Sequence, residues 1–177
     1  VSEGMICAED EVGLGDDHEG IIVLDPGAPV GTPAAEYFNI EQDSVFEIGL
    51  TPNRIDGASH LGVARDIVAA LRSEMPVKLN KPNVDNLIID NHDLNISVEI
   101  QNTQACLRYS GISISQVEIK DSPTWLQNRL KSIGLKPINN IVDITNFVLH
   151  ETGQPLHAFD ADKIQGNKVV VRTLPNQ

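Results

Sequence analysis

Aromatic residues are scarce in this 177-residue sequence, at 4%, yet 41% of its residues are hydrophobic. That is enough to build a core, so wholesale disorder does not fit. Cysteine is almost absent. Cys7 and Cys106 lie far apart and outside any CxxC, which fits reduced thiols better than a disulfide scaffold or a zinc site. No apolar run extends beyond a few residues, which excludes a membrane-spanning helix. The opening Val1-Ser2-Glu3-Gly4 has neither the basic nor the apolar part of a secretory signal. The sequence starts on Val and ends on Leu174-Pro175-Asn176-Gln177 without a closing element, so a piece of something longer is expected. Positive charge is also short: 13 Lys and Arg face 25 Asp and Glu, a net charge of −12. This argues against a free-standing, sequence-blind nucleic-acid binder, because neutralising phosphates needs clustered cations. RNA handling by a larger assembly remains compatible with it.

The acidity is uneven. Residues 1–60 hold thirteen acidic side chains and one basic one, Arg54, whereas residues 61–177 are balanced. Residues 1–60 are therefore not the main phosphate-binding face, and the rest carries no charge barrier against an RNA end.

Mixed helix and strand signals without strict alternation point to an α+β fold. Residues 1–45 are rich in Gly, Pro, Asp and Glu. Gly13-Leu14-Gly15 lacks the third glycine and the preceding strand of a dinucleotide fingerprint, so it reads as a loop. Short strands are expected at 20–24 and 46–50. Ser59 is a good N-cap for a helix that places Leu61, Ala64, Ile67, Val68 and Leu71 on one face, with Pro76 beyond its end. Residues 77–93 read as a linker. Leu94, Ile96, Val98 and Ile100 alternate with polar residues as in a half-buried strand, and 109–119 suggests a second, long or bulged one. Ser122-Pro123 predicts a helix start, with Trp125, Leu126, Leu130 and Ile133 buried and Gly134 as its left-handed stop. Asn139 or Asn140 can cap a further helix with Ile141, Ile144, Phe147 and Val148 on its apolar face and Gly153 at its end. A loop over 154–160 and a last strand over 168–172 complete the reading.

None of the five histidines stands in HxxH, HxxxH or HExxH, so spacing gives no metal site. No GxSxG elbow occurs. His18 reads as a solvated surface residue. His157 follows a helix stop and a proline, which fixes its backbone. Thr145 and Asn146 lie on the preceding helix, on its last turns. A chain reversal can bring this hydroxyl, amide and imidazole to one concavity, where they could position a water or hold an ester carbonyl. The competing structural reading has Asn146 capping the reversal and His157 as a buried, hydrogen-bonded core residue.

The run Pro137-Ile138-Asn139-Asn140-Ile141-Val142-Asp143-Ile144-Thr145-Asn146-Phe147-Val148, followed by Gly153-Gln154-Pro155-Leu156-His157-Ala158-Phe159-Asp160, resembles the signature of the bacterial phenylalanyl-tRNA synthetase β-subunit family. Ser2-Glu3-Gly4-Met5, Gly13 to His18 and Gly31-Thr32 resemble the end of that family's tRNA-binding OB-type module. Thr51-Pro52-Asn53-Arg54 and Gly62-Val63-Ala64-Arg65-Asp66 resemble the helical segment after it. Ala105-Cys106-Leu107-Arg108-Tyr109 and the stretch 123–134 resemble the opening of its editing domain. The resemblance implies four segments: 1–45, the end of the OB-type module; 46–76, a strand plus helix; 77–93, a linker; and 94–177, the first part of the editing domain.

The same resemblance implies a heterotetramer of two α and two β subunits that attaches phenylalanine to its tRNA in the cytoplasm. ATP, Mg²⁺ and phenylalanine would be handled by the α subunit, with no cofactor in this chain and no membrane partner. The β subunit would bind the phenylalanine tRNA and hydrolyse tyrosine wrongly attached to it. A pocket made for Phe rejects an added hydroxyl only modestly, so a second site that removes the error is needed. By position, His157 corresponds to a catalytic residue of this site, and Thr145 and Asn146 to substrate-binding ones. Lys136 falls where many members carry a tRNA-contacting Arg. Lys can neutralise a phosphate but lacks Arg's bidentate fork. The family pocket also uses a glutamate and small residues well downstream, which Glu151 does not replace. The isolated 177 residues are therefore expected not to deacylate Tyr-tRNA. A non-catalytic docking scaffold for the α subunit and tRNA is the alternative.

Overall fold

The computed structural model describes residues 4–40 and 42–174. Ser2, Glu3 and the last three residues of the sequence lie outside them. The chain divides into two compact units, Val1–Ser44 and Val45–Gln177.

The first unit is mostly irregular. It holds a 3₁₀ turn at Asp10–Val12 and a short helix, α1, at Ala34–Tyr37. The expected strand over 20–24 does not form. Among the described residues its one backbone link is Ile22 N–H donating to Cys7 O at 2.9 Å. An alternating or apolar run marks a face that favours burial, but a strand also needs a hydrogen-bonding partner along its length. His18 is exposed and its Nδ1 lies 2.8 Å from Asp10 Oδ2.

The second unit carries three longer helices and a two-stranded parallel sheet, so it is an α+β arrangement. Helix α2, His60–Leu71, starts where Ser59 accepts a hydrogen bond from Gly62 N, as its sequence predicts. It ends before Pro76 is reached. Ile67, expected on the buried face, is 51% exposed. A 3₁₀ turn at Ile55–Gly57 presses on the first turn of α2. Gly62 permits that approach, because a Cβ there would lie 2.9 Å from Gly57 Cα and closer still to the Asp56 carbonyl oxygen.

Strand β1, Ser97–Ile100, pairs in parallel with β2, Lys168–Val171, so that Ser97 faces Lys168 and Ile100 faces Val171. The alternation over 94–100 therefore yields only four laddered residues, the length its partner offers. The expected strands at 46–50 and 109–119 form no ladder. Phe46 is 81% exposed and Ile114 is 69% exposed, so these apolar residues find no opposing face in the described chain.

Helix α3, Thr124–Ser132, and α4, Asn140–Thr152, pack on each other. Leu126 and Leu130 are fully buried between them, while Trp125 and Ile144 stay about half exposed, against the sequence reading. The Trp125 and Phe147 rings meet edge to face at 5.6 Å, a favoured aromatic geometry. Gly134 and Gly153 both take the left-handed conformation expected of helix stops, with φ of +79° each.

Candidate functional site

The signature run is first a piece of architecture. Asn139 caps α4, its side-chain oxygen accepting from Ile141 N and Val142 N at 3.1 Å each. This satisfies two of the orphan amides of the first turn. Asn140 instead grips a neighbouring segment. Its Nδ2 donates to Glu118 O at 2.9 Å and its backbone N–H to Lys120 O at 2.9 Å. Asp143 is completely buried. Its Oδ2 accepts from the Ser122 hydroxyl at 2.5 Å, and its Oδ1 from Ile138 N at 2.9 Å. Ser122 was expected to cap α3. Its hydroxyl goes to Asp143 instead, and Pro123 occupies the cap position without a side-chain bond.

Thr145 and Asn146 follow on α4, in its middle turns and not its last ones. Both are half-buried. The Thr145 hydroxyl donates to Val142 O at 2.7 Å, leaving its lone pairs to accept. After Gly153 the chain runs irregularly through Gln154 to Asp160. His157 stands exposed on this loop, its ring 6.2 Å from that of Phe159 and tilted by 36°. It is not the buried core residue that the structural reading requires, and Gly153, not Asn146, stops the helix. Among the described residues no hydrogen bond or ring contact joins His157 to Thr145 or Asn146. Lys136 is exposed in the connection between α3 and α4. Asp160 ends the loop; its pairing with Lys163, helped by the Asp162 amide, holds its carboxyl below the usual range.

Two further features escaped the sequence reading. One is an ion cluster around the start of α2. Arg54 Nε and Nη2 donate to Asp56, and Nη2 also reaches Asp66 Oδ2 at 2.6 Å. The Arg54 hydrogen bond, opposed by desolvation and aided by charge, lowers the Asp56 pKa, and the same partners raise that of Arg54. Arg65 donates to the Asp56 carbonyl at 2.7 Å. The motif residues Arg54, Arg65 and Asp66 thus tie the 3₁₀ turn to α2. The resemblance put Arg54, Arg65 and Asp66 in one segment but did not point to the partner Asp56. The other is a cleft of about 160 Å³ lined by His60, Leu61, Ala64, Asn80, Pro82 and Glu151.

Comparison with known proteins finds sequence relatives of the chain. Residues 105–177 match the B3/4 domain model, which covers the α3–α4 pair, the His157 loop and β2. The chain is 54% identical over 175 residues to a phenylalanine–tRNA ligase β subunit from Bacteroides thetaiotaomicron, covering 98% of this chain and 21% of that protein. It is 53% identical over 174 residues to that of Porphyromonas gingivalis, with the same two shares. Against that of Salinibacter ruber, identity is 49% over 176 residues, 97% of this chain and 21% of the relative. The chain spans about a fifth of the length of these curated relatives. Over the residues it has, the chain is similar to phenylalanine–tRNA ligase β subunits, and its residues 105–177 match the B3/4 domain model.

Proposed function

We propose that the chain serves in a phenylalanine–tRNA ligase as part of the β subunit, and that its second unit supplies one wall of an editing site. The enzyme, a tetramer of two α and two β subunits in the cytoplasm, attaches phenylalanine to its tRNA with ATP and Mg²⁺ at the α subunit. The described residues of this chain gather no cluster of three or more metal-ligating side chains. The steps assigned to this chain are an ester hydrolysis, and ATP and Mg²⁺ belong to the attachment reaction at the α subunit.

The reaction at the editing site is hydrolysis of the ester that joins tyrosine to the terminal ribose. Water adds to the carbonyl carbon, the carbonyl oxygen gains negative charge, and the ribose hydroxyl leaves with a proton. His157 orients the water or the substrate. The Asn146 amide can donate to the carbonyl oxygen, and Thr145 Oγ1 can accept from a ribose hydroxyl or the amino group while it donates to Val142 O. No residue of this chain is assigned as general base. Lys136 adds a positive charge near the RNA end.

The observation that carries this reading is the placement of His157. It stands exposed on a loop tied down at Gly153 and Asp160, without a protein hydrogen bond among the described residues. A scaffold role has one observation in its favour, the Thr145 hydroxyl turned back onto its own helix. The two separate by ligand binding. Tyrosyl-adenosine with an amide in place of the ester should bind the whole tetramer and shift the His157 ring resonances. Binding with no effect at His157, Asn146 or Thr145 would favour the scaffold.

A further inference from the structure

The Ser122–Asp143 pair lies beside the proposed site without belonging to it. Asp143 is 0% exposed and Ser122 5%, so both are removed from water and from any tRNA. Each carboxylate oxygen of Asp143 has its own donor: Ser122 Oγ on the approach to α3 and Ile138 N on the approach to α4. The partners come from opposite sides of the α3 helix, which closes the segment 122–143 into a loop. A carboxylate held by two donors at fixed angles sets the rotation of α4 about its axis. Asn140 adds a second grip from the same turn, through Glu118 O and Lys120 O.

Asn146 lies three residues after Asp143, on an adjoining strip of the same helix. Turning or sliding α4 at Asp143 therefore moves Asn146 with it. Asn139 already caps the helix, and Leu126 and Leu130 already bury its contact with α3. The cap is made within the first turn of α4 itself, so it does not set the rotation of that helix against α3, whereas the Asp143 bonds reach residues outside α4.

We propose that Asp143, held by Ser122, is a positioning residue for editing, fixing the rotation of α4 and so the aim of Asn146 at the aminoacyl ester. This rests on the editing reading of the same helix. Asp143 touches no substrate and acts through Asn146.

The test uses the whole ligase, assembled from the full β subunit and its α subunit, with tRNA mischarged with tyrosine as probe. Asp143→Ala and Ser122→Ala should each lower kcat of hydrolysis, with KM nearly unchanged and phenylalanine attachment intact. Misplacement by about 1 Å costs up to about a hundredfold in such sites. Asp143→Asn can still accept from Ile138 N with its oxygen and donate to Ser122 Oγ with its amide, so it should recover most of the rate. If Asp143→Ala unfolds, Ser122→Ala gives the same readout with one bond removed. Folded Ser122→Ala and Asp143→Ala enzymes with unchanged kcat would overturn the proposal, and so would an Asp143→Asn enzyme as slow as Asp143→Ala. His157→Ala is run beside them. If it too leaves hydrolysis unchanged, the editing reading itself fails. If it alone slows hydrolysis, only the role of Asp143 fails.

Discussion

His60 Nδ1 lies 3.0 Å from the backbone oxygen of His150, joining the first residue of α2 to the last turn of α4 across 90 positions. Gly153, next to that turn, would place an added Cβ 3.4 Å from Ser59 Cβ, so the two helix ends are in close contact. The segment around α2 is thereby fastened to the helix that carries Thr145 and Asn146. His60→Ala removes one donor from an exposed hydrogen bond, a loss of about 1 kcal/mol. The α2 amides should then exchange with solvent about fivefold faster, and exchange mass spectrometry of the full subunit measures this.

Gly62→Ala is expected to destabilise despite alanine's better helix propensity. The gain is at most about 1 kcal/mol. The added methyl meets the backbone at Asp56 and Gly57, where no flexible side chain can yield. Overpacking of this kind costs about 1–3 kcal/mol. A lower thermal unfolding midpoint for the alanine variant is the expected result.

Asn139→Ala removes the cap of α4 and leaves the amides of Ile141 and Val142 without their side-chain acceptor. The expected loss is about 1 kcal/mol. It should appear as faster exchange confined to the first turn of α4, with the α3 amides little changed. Editing should weaken less than in Asp143→Ala, since a cap holds the helix end and not its rotation.

Acid should loosen the sheet by a small step. Lys168 ion-pairs with Glu99 across the two strands, and Gln101 Nε2 donates to Glu99 Oε1 at 3.0 Å. The Lys168 bond, then the Gln101 bond and the Lys168 charge, holds the Glu99 pKa below its ordinary value. A depressed folded pKa stabilises above the unfolded value, about 4.3 for glutamate, and that contribution is lost as pH falls through the folded value. The pair is solvent-exposed, so the step is small and fades in high salt. Exchange of β1 and β2 amides should rise as pH drops below about 4 relative to Lys168→Met, in which only the smaller Gln101 part of the step remains. Equal pH dependence in the two proteins would remove the pair from the account.

The local features of the fold were legible. Ser59, Asn139, Gly134 and Gly153 each act where cap chemistry places them, because that chemistry involves neighbours within four residues. What depended on distant partners was not. Ser122 before Pro123 has the form of a cap, yet its hydroxyl is taken by Asp143, 21 residues on. Asn140 grips Glu118, within the run that the apolar pattern had read as a strand, and Lys120 just beyond it. The 46–50 and 109–119 runs show that alternation reports a preferred face and not a partner. Of the candidate site, His157, Thr145 and Asn146 were singled out by the resemblance of the signature run. The burial of Asp143 and the exposure of His157 needed the fold.

The central claim is that this chain carries part of an editing site, and one rate tests it most directly. In the whole ligase, hydrolysis of tyrosine from the phenylalanine tRNA is followed for wild type and for His157→Ala. The account predicts that the variant attaches phenylalanine normally and clears tyrosine at least about a hundredfold more slowly, the scale of losing a positioned catalytic group. Unchanged clearance of tyrosine by a folded His157→Ala enzyme would contradict it.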